Sequence, residues 1–508
     1  MPVAILARIL RPLQKPARTR CVPSFLRDRM MRKLPLLFLT VLLNTACGGG
    51  GGPDQGSGGI VGSGGALGSG GQGSGGAMGS GGAPASGGGL GSGGAGSGGL
   101  GSGGLGSGGV GSGGLGSGGL ASGGSGTGGD SSAAMEWLPS WATTIQKTET
   151  ANKPTNALGG KTLRQFVWPT VSGSQIRIQL SNERGNVPVP VDKVHIALAK
   201  TAGDPGNSQG AIDTATDAAF TFGGMPNVTI PVGETVWSDP LDFPLQEIKL
   251  TAISMLLGAA VAQGDDITGH PGARMKSYVA TGDVVATEAI TGLETPERWY
   301  YIDAIEVMAP ADAYAVAILG DSITDGYGVH DKFARWPDAL TTAMKADATL
   351  ATKVSVLDFG MGGNKLAGAP GGDQDPGIVR FERDVLARDK IKKLIVLEGT
   401  NDVDGGGAAA PVIAAYQSIV TQAEAAGIEV FISPITPMNA KNTGERDTLN
   451  EWVRASANYD AGIDLDLAIR DPATPTNTLG SYKNDDLHPN EAGYQAMGVS
   501  IDLPLLYP

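Results

Sequence analysis

Cysteine is nearly absent. The two that occur, Cys21 and Cys47, precede the region able to fold, so neither a disulfide framework nor a thiolate metal site can exist within it. Histidine is also scarce: of four in the chain, only His330 and His488 follow residue 310, too few imidazoles for the usual two-metal phosphoesterase. Positive charge falls short, with 37 Lys plus Arg against 50 Asp plus Glu and a net charge of −13. That balance removes any long-range pull toward nucleic acid or an anionic membrane and suits a neutral substrate or an uncharged polymer. The apolar run from Leu34 to Leu43 is too short to span a bilayer.

Glycine is present in excess, 82 residues concentrated before position 135. From Gly48 to Ala134 the chain repeats units such as GLGSGG with almost no charge and no aromatic residue, so it cannot bury enough apolar surface to offset chain entropy. Residues 48–134 are read as a flexible linker, and roughly ninety Gly/Ser-rich residues give a span of about 50 Å. Before it, MMRKLPLLFLTVLLNTAC has the basic start, apolar run and small residues of an export signal. Residues 1–47 resemble a bacterial lipoprotein signal, with Asn44 where such signals usually carry Leu. The resemblance implies that Cys47 is acylated and that the mature protein is lipid-anchored at the cell envelope or surface. Ordinary cleavage and secretion is the alternative.

From Trp137 the composition changes. QIRIQLSN, KVHIALAK, NVTIPVG and KLTAISMLL are short, alternating and β-branched, and are separated by Gly, Pro, Asn and Asp clusters. This pattern predicts an all-β sandwich over 135–310. Trp137, Trp141, Trp168, Trp237 and Trp299 could form a stacking surface for carbohydrate, but scattered Trp in a β-domain more often packs in the core.

Beyond Pro310 apolar strands alternate with helical stretches near 334–347, 376–388, 409–426 and 444–457. The expectation for 311–508 is an α/β domain, a parallel sheet with helices on both faces and its chemistry in the loops at the strands' carboxyl ends. Four such loops carry reactive groups. Ser322 follows the first strand in AILGDSITDGYG, where a bare helix cap is the ordinary explanation for a serine. The second strand ends in LDFGMGGN, whose glycines let backbone amides turn inward. The third ends in LEGTND with Asn401, and NDDLHPNEAGY sets Asp485 three residues before His488, with Pro489 able to open the last helix.

The order GDS, Gly-rich turn, GTND and DxxHP resembles the SGNH (GDSL) hydrolase family. The resemblance covers essentially all of 313–508 and implies a flavodoxin-like fold. It implies Ser322 as nucleophile, His488 as base, Asp485 as the acid that orients it, and an oxyanion hole from the N–H groups of Ser322 and Gly363 with the Asn401 side chain. Asp358 stands where the family's second block has Asn. Asp486 lacks the DxxH spacing and is not the acid. The chemistry is coherent, since a serine hydroxyl needs a base to accept its proton and a tetrahedral oxyanion needs hydrogen-bond donors. No cofactor and no metal are called for. Asp321, Asp325, Asn401, Asp402 and His488 are also residue types of a two-metal phosphoesterase, yet Asp321, Asp325 and Asp402 are expected to bind backbone amides beneath the nucleophile.

RIQLSNERG, SYVATGD and RWPDAL resemble an extracellular subgroup related to xylanase-associated arylesterases and acetyl esterases. This implies loss of short acyl groups, O-acetyl above all, from polysaccharide. The partners expected are an acylated polysaccharide or small ester, with no nucleic acid and no membrane contact beyond the anchor. A lipid or aryl-ester acylhydrolase is the alternative within hydrolases, and a surface carbohydrate-binding protein with an inactive hydrolase domain is the alternative outside them. Arg335 and Trp336 either line the acyl or sugar site or pack at a helix start.

Overall fold

A computed structural model describes residues 134–200, 210–439, 441–455 and 459–508. The signal-like segment, Cys21, Cys47 and the glycine-rich linker lie outside the described residues.

The N-terminal part of the described chain is β-rich, and its strands form where apolar and polar residues alternate. In Gly173–Ser181, Ile176, Ile178 and Leu180 are buried while Gln175, Arg177 and Gln179 point toward solvent. This strand pairs antiparallel with Ile302–Pro310, which pairs with Met135–Ala142, so the first and last strands of the region are neighbours. A second antiparallel sheet places Thr251–Leu257 between Lys161–Val167 and Val189–Leu198. Ile253 and Met255 of its central strand join the same core as Ile176 and Ile178. On its other side Ala252 packs in a separate cluster with Phe166, Met275 and Tyr278.

Of the five tryptophans of the β-rich region, Trp141 and Trp299 are buried in edge-to-face contact at 5.0 Å. Trp137 and Trp237 hold the Arg177 guanidinium between their rings, 4.6 and 4.3 Å from the centroids. Trp168 stacks on Phe333.

The C-terminal part is built on a parallel sheet of β1 (Tyr314–Gly320), β2 (Val354–Gly360), β3 (Ile391–Leu397), β4 (Glu429–Ile432) and β5 (Ala461–Gly462), in the order β2-β1-β3-β4-β5. Every residue of β1 is buried, as expected for a strand covered on both faces. Ala315, Ala317 and Leu319 face helix Ala409–Ala425 through Val412, Tyr416 and Ile419. Val316 and Ile318 face helices Trp336–Ala346 and Glu491–Val499 through Trp336, Leu340, Tyr494 and Met497. Each such side chain removed from water contributes about 1.5–3 kcal/mol. The expected helices all form, and 376–388 does so as Gly377–Phe381 continued by a π turn, Glu382–Leu386. Among the described residues no helix is long and apolar enough to cross a membrane.

In this strand order the chain reverses direction between β1 and β3, and ligands of such sheets bind at that point, outside the carboxyl ends. The β-rich region is continuous with this half. Its core and one face of the parallel sheet form a single apolar cluster. Thr170 Oγ1 donates to the Val356 carbonyl at 3.2 Å and accepts from the Val356 N–H at 3.1 Å.

Candidate active site

Ser322 sits two residues beyond β1, in a tight turn closed by the Asp325 N–H on the Asp321 carbonyl at 2.9 Å. The capping role falls to Asp321, whose Oδ1 accepts from the Ile323 N–H at 2.9 Å. The Ser322 hydroxyl is thereby left for another partner. Its Oγ lies 2.9 Å from Nε2 of His488, and Nδ1 of His488 lies 3.0 and 3.1 Å from the two carboxylate oxygens of Asp485.

The loop of residues 484–490 owes its shape to Asp485, whose Oδ1 also accepts from the N–H groups of Leu487 and His488 at 2.8 and 2.7 Å. The last helix opens at Glu491, later than Pro489, with Asn490 as its cap accepting from the Gly493 N–H. An asparagine side chain can satisfy an orphan N–H of the first turn, which Pro489 cannot. Asp486 points away to a solvent-exposed pair with Lys483 at 2.6 Å.

Burial works against the Asp485 carboxylate, but the two N–H groups and the imidazole hold its pKa below the ordinary carboxylate value. For His488, burial is the larger effect and pushes the imidazole below its usual value against the pull of Asp485. The neutral ring, with Nδ1–H donated to Asp485 and Nε2 open to the hydroxyl, is the form in which it can take a proton from Ser322.

Ser322, His488, Gly363 and Asn401 line one cleft of about 350 Å³. Gly363 has φ of +74°, a left-handed conformation that favours glycine and aims its backbone where a side chain is not required. Asn401 is the second residue of a short helix, Thr400–Asp404, after β3, and its Nδ2 donates to the Asn364 carbonyl at 2.8 Å, which orients the amide and leaves its second N–H. Asp358 caps its own strand end, accepting from the Gly360 N–H at 2.9 Å, and burial lifts its carboxyl to about 7.

The carboxylates beneath Ser322 divide. Asp402 accepts from the N–H groups of Leu366 and Ala367 at 2.8 and 3.0 Å, and Asp321 serves Ile323, both as their positions suggested. Asp325 departs from that expectation. Its side chain meets His270 Nε2 at 3.1 Å and Arg274 Nη2 at 2.8 Å, both from the β-rich region. Although burial opposes ionisation, Arg274 and His270 hold its pKa below the usual value. Arg335 and Trp336 are structural. Trp336 is fully buried at a helix start with Pro337 after it, and Arg335 donates to the carbonyls of Gly272, Ala273 and Asp325. His330 pairs with Glu297 at the surface.

Sequence reading found no role for the β-rich region in this cleft, yet Glu149, Asn152, Gly272, Arg274 and Arg298 line it. The only available signal is GHPGAR, residues 269–274, in which Pro271, Gly272 and Ala273 separate an imidazole from a guanidinium. Gly272 is required there, because a Cβ would collide with the Asp325 carboxylate.

Residues 318–496 match the model of the GDSL-like Lipase/Acylhydrolase family. That segment is similar to the GDSL-like acylhydrolases, and the protein is a carboxylic ester hydrolase. Solved structures similar to it include a lipolytic protein of the G-D-S-L family from Desulfitobacterium hafniense, at 21% identity over 37% of this chain and 96% of that one, with a TM-score of 0.31. Another is Est24, a carbohydrate acetylesterase from Sinorhizobium meliloti, at 13% identity over 38% of this chain and 100% of that one, with a TM-score of 0.31. The acetyl xylan esterase AlAXEase is 23% identical over 37% of this chain and 96% of its own, again with a TM-score of 0.31. No curated protein matches the chain.

Proposed function

We propose that the protein is a serine esterase that removes short acyl groups, O-acetyl in particular, from polysaccharide. The observation that carries this reading is the relay from Ser322 Oγ through His488 to Asp485, at 2.9 and 3.0 Å, opening on a cleft lined by both polar and apolar groups. In the mechanism proposed, Ser322 Oγ adds to the ester carbonyl as His488 Nε2 takes its proton. The carbonyl π electrons move to oxygen, where the N–H groups of Ser322 and Gly363 and the Asn401 amide receive the charge. The C–O bond to the alcohol then breaks, and the imidazolium returns the proton to the departing oxygen. Water repeats the sequence on the acyl-Ser322 ester, releasing the carboxylic acid and restoring the hydroxyl. Each oxyanion donor is worth about 3 kcal/mol of barrier.

Leu487 is the one large aliphatic side chain on the cleft wall, which suits acetyl over a long acyl chain. Residues 135–310 are proposed as an accessory β-sandwich domain, 311–508 as the catalytic domain and 48–134 as a tether behind an export signal. Acylation of Cys47 would hold the enzyme at the cell surface, facing a polymer too large to enter.

Full-chain protein is expected to release acetate from acetylated xylan, read enzymatically, and to hydrolyse p-nitrophenyl acetate far faster than the palmitate ester. Preference for palmitate would move the assignment to lipid, and polymer binding without turnover would leave a binding protein. The pH profile is a second test. Neutral His488 is the active form, so kcat/KM falls as pH drops through its pKa, and burial places that midpoint below the ordinary imidazole value of 6.5. A rate unchanged down to about pH 4 would rule out the imidazole as base.

A further inference from the structure

The wall of the cleft contributed by the β-rich region is a hydrogen-bonded array of planar polar groups. Arg298 donates from Nε and Nη2 to Asn152 Oδ1 at 3.2 and 2.8 Å, and Asn152 Nδ2 donates to Glu149 Oε2 at 2.9 Å. Glu149 Oε1 in turn accepts from Gln146 Nε2 at 2.5 Å. The array is locked to the hydrolase side, because Gln374 Nε2 bridges Gln146 Oε1 at 3.0 Å and the Gly362 carbonyl at 2.9 Å. Gly362 adjoins Gly363, which lines the same cleft as Ser322, so this wall is tied to the hydrolase side of the cleft.

The array retains unused capacity. Among the described residues, three N–H groups of Arg298 are engaged, counting Nη1 on the Glu297 carbonyl, out of five. The Glu149 carboxylate accepts two hydrogen bonds where about four sites exist. All three side chains are only partly buried, so the free positions face the cleft solvent. Asn152 separates the carboxylate from the guanidinium, and their charges cancel across the wall. Such a surface offers alternating acceptors and donors to a neutral ligand rich in hydroxyl groups and gives no net attraction to a polyanion or polycation. Tyr327, 46% exposed, lies over the His488 ring at 4.1 Å between centroids and offers an aromatic face beside it.

We propose that Glu149, Asn152 and Arg298 form the subsite for the alcohol half of the ester, taking hydroxyl groups of the sugar that bears the acyl group. The β-rich region is then part of the active site and sets its specificity. The inference rests on the esterase reading above. A site built to hydrogen-bond substrate hydroxyls discriminates strongly against an analogue without them, because its polar groups are left unpaired.

The test compares kcat/KM for an acetylated xylo-oligosaccharide with kcat/KM for p-nitrophenyl acetate, whose alcohol half has no hydroxyl beyond the ester oxygen. In full-chain Arg298→Met and Glu149→Gln the ratio of the two is expected to fall about 10- to 100-fold, with most of the change in KM for the sugar. Glu149→Gln keeps the side-chain shape, and matching thermal midpoints show that the fold is intact. A ratio within about twofold of wild type in both variants overturns the subsite and leaves the esterase assignment standing. Wild-type protein that turns over the aryl acetate and no sugar acetate overturns the polysaccharide reading and the subsite with it.

Discussion

Ser322→Ala is expected to lower kcat on p-nitrophenyl acetate by on the order of 10⁵-fold, leaving only what the donors and the cleft provide without a nucleophile. The size of the effect follows from the geometry. The hydroxyl stands 2.9 Å from the only imidazole on this cleft's wall, and His488 without Ser322 has no proton to take except that of a poorly held water. Stability should hardly change, since the substitution removes one partly buried hydrogen bond worth about 1 kcal/mol. A fluorophosphonate probe makes the result specific: wild-type protein should gain one phosphonyl mass on the peptide containing Ser322, and the variant none. Turnover above about a tenth of wild type in Ser322→Ala would remove the serine from the mechanism.

How far such a site can be read from sequence depends on where its parts come from. Ser322, Gly363, Asn401 and the Asp485–His488 pair each lie within a few residues of a strand end or the last helix, so a local pattern is enough to place them on one rim. Their meeting is a property of the parallel sheet, whose apolar runs are unmistakable in Tyr314–Gly320 and Ile391–Leu397. The opposite wall has no such signature. Glu149 precedes and Asn152 ends a single short 3-10 turn, Thr150–Asn152, and Arg298 immediately precedes the two-residue strand Trp299–Tyr300, so none carries a local pattern, and only the docking of the β-rich region against the parallel sheet brings them to Ser322.

Asp325 shows the same limit from within the motif. Seen beside Ser322 it looks like another carboxylate for nearby amides, because the sequence cannot reveal that His270 and Arg274 arrive from another part of the fold. The pairing also explains why Gly272 must approach so closely. The tryptophans divide for similar reasons. Trp141 and Trp299 obey the general rule for the core, whereas Trp137 and Trp237 serve to clamp Arg177.

Arg380→Met should be the most destabilising single change at this site. Arg380, 1% exposed, reaches the ends of the three strands β1, β2 and β3. It donates to the carbonyls of Gly320 and Phe359, each at 2.8 Å, and to Asp384 and Glu398 at 3.0 and 3.2 Å. Its Nε holds Asn364 Oδ1 at 2.9 Å, and the Asn364 carbonyl in turn orients Asn401. Methionine keeps most of the volume but strands two carbonyls and removes the cation from two buried carboxyls, a loss of about 3–5 kcal/mol. Asp384 keeps Arg383 at 2.8 Å and Thr144 at 2.6 Å, so Glu398 bears more of the consequence. Burial already raises the Glu398 carboxyl to about 7, and removing Arg380 raises it further. A carboxyl whose pKa is higher folded than unfolded binds its proton in favour of the folded state at low pH, and that contribution is lost as pH rises through the folded value. The stability gap between variant and wild type, measured by urea unfolding, should therefore be wider near pH 8 than near pH 5.5. Activity should fall at temperatures where the variant is still folded, since Asn401 loses its support through Asn364. A gap below about 1 kcal/mol, or one independent of pH, would mean that Arg380 only fills space between the strand ends.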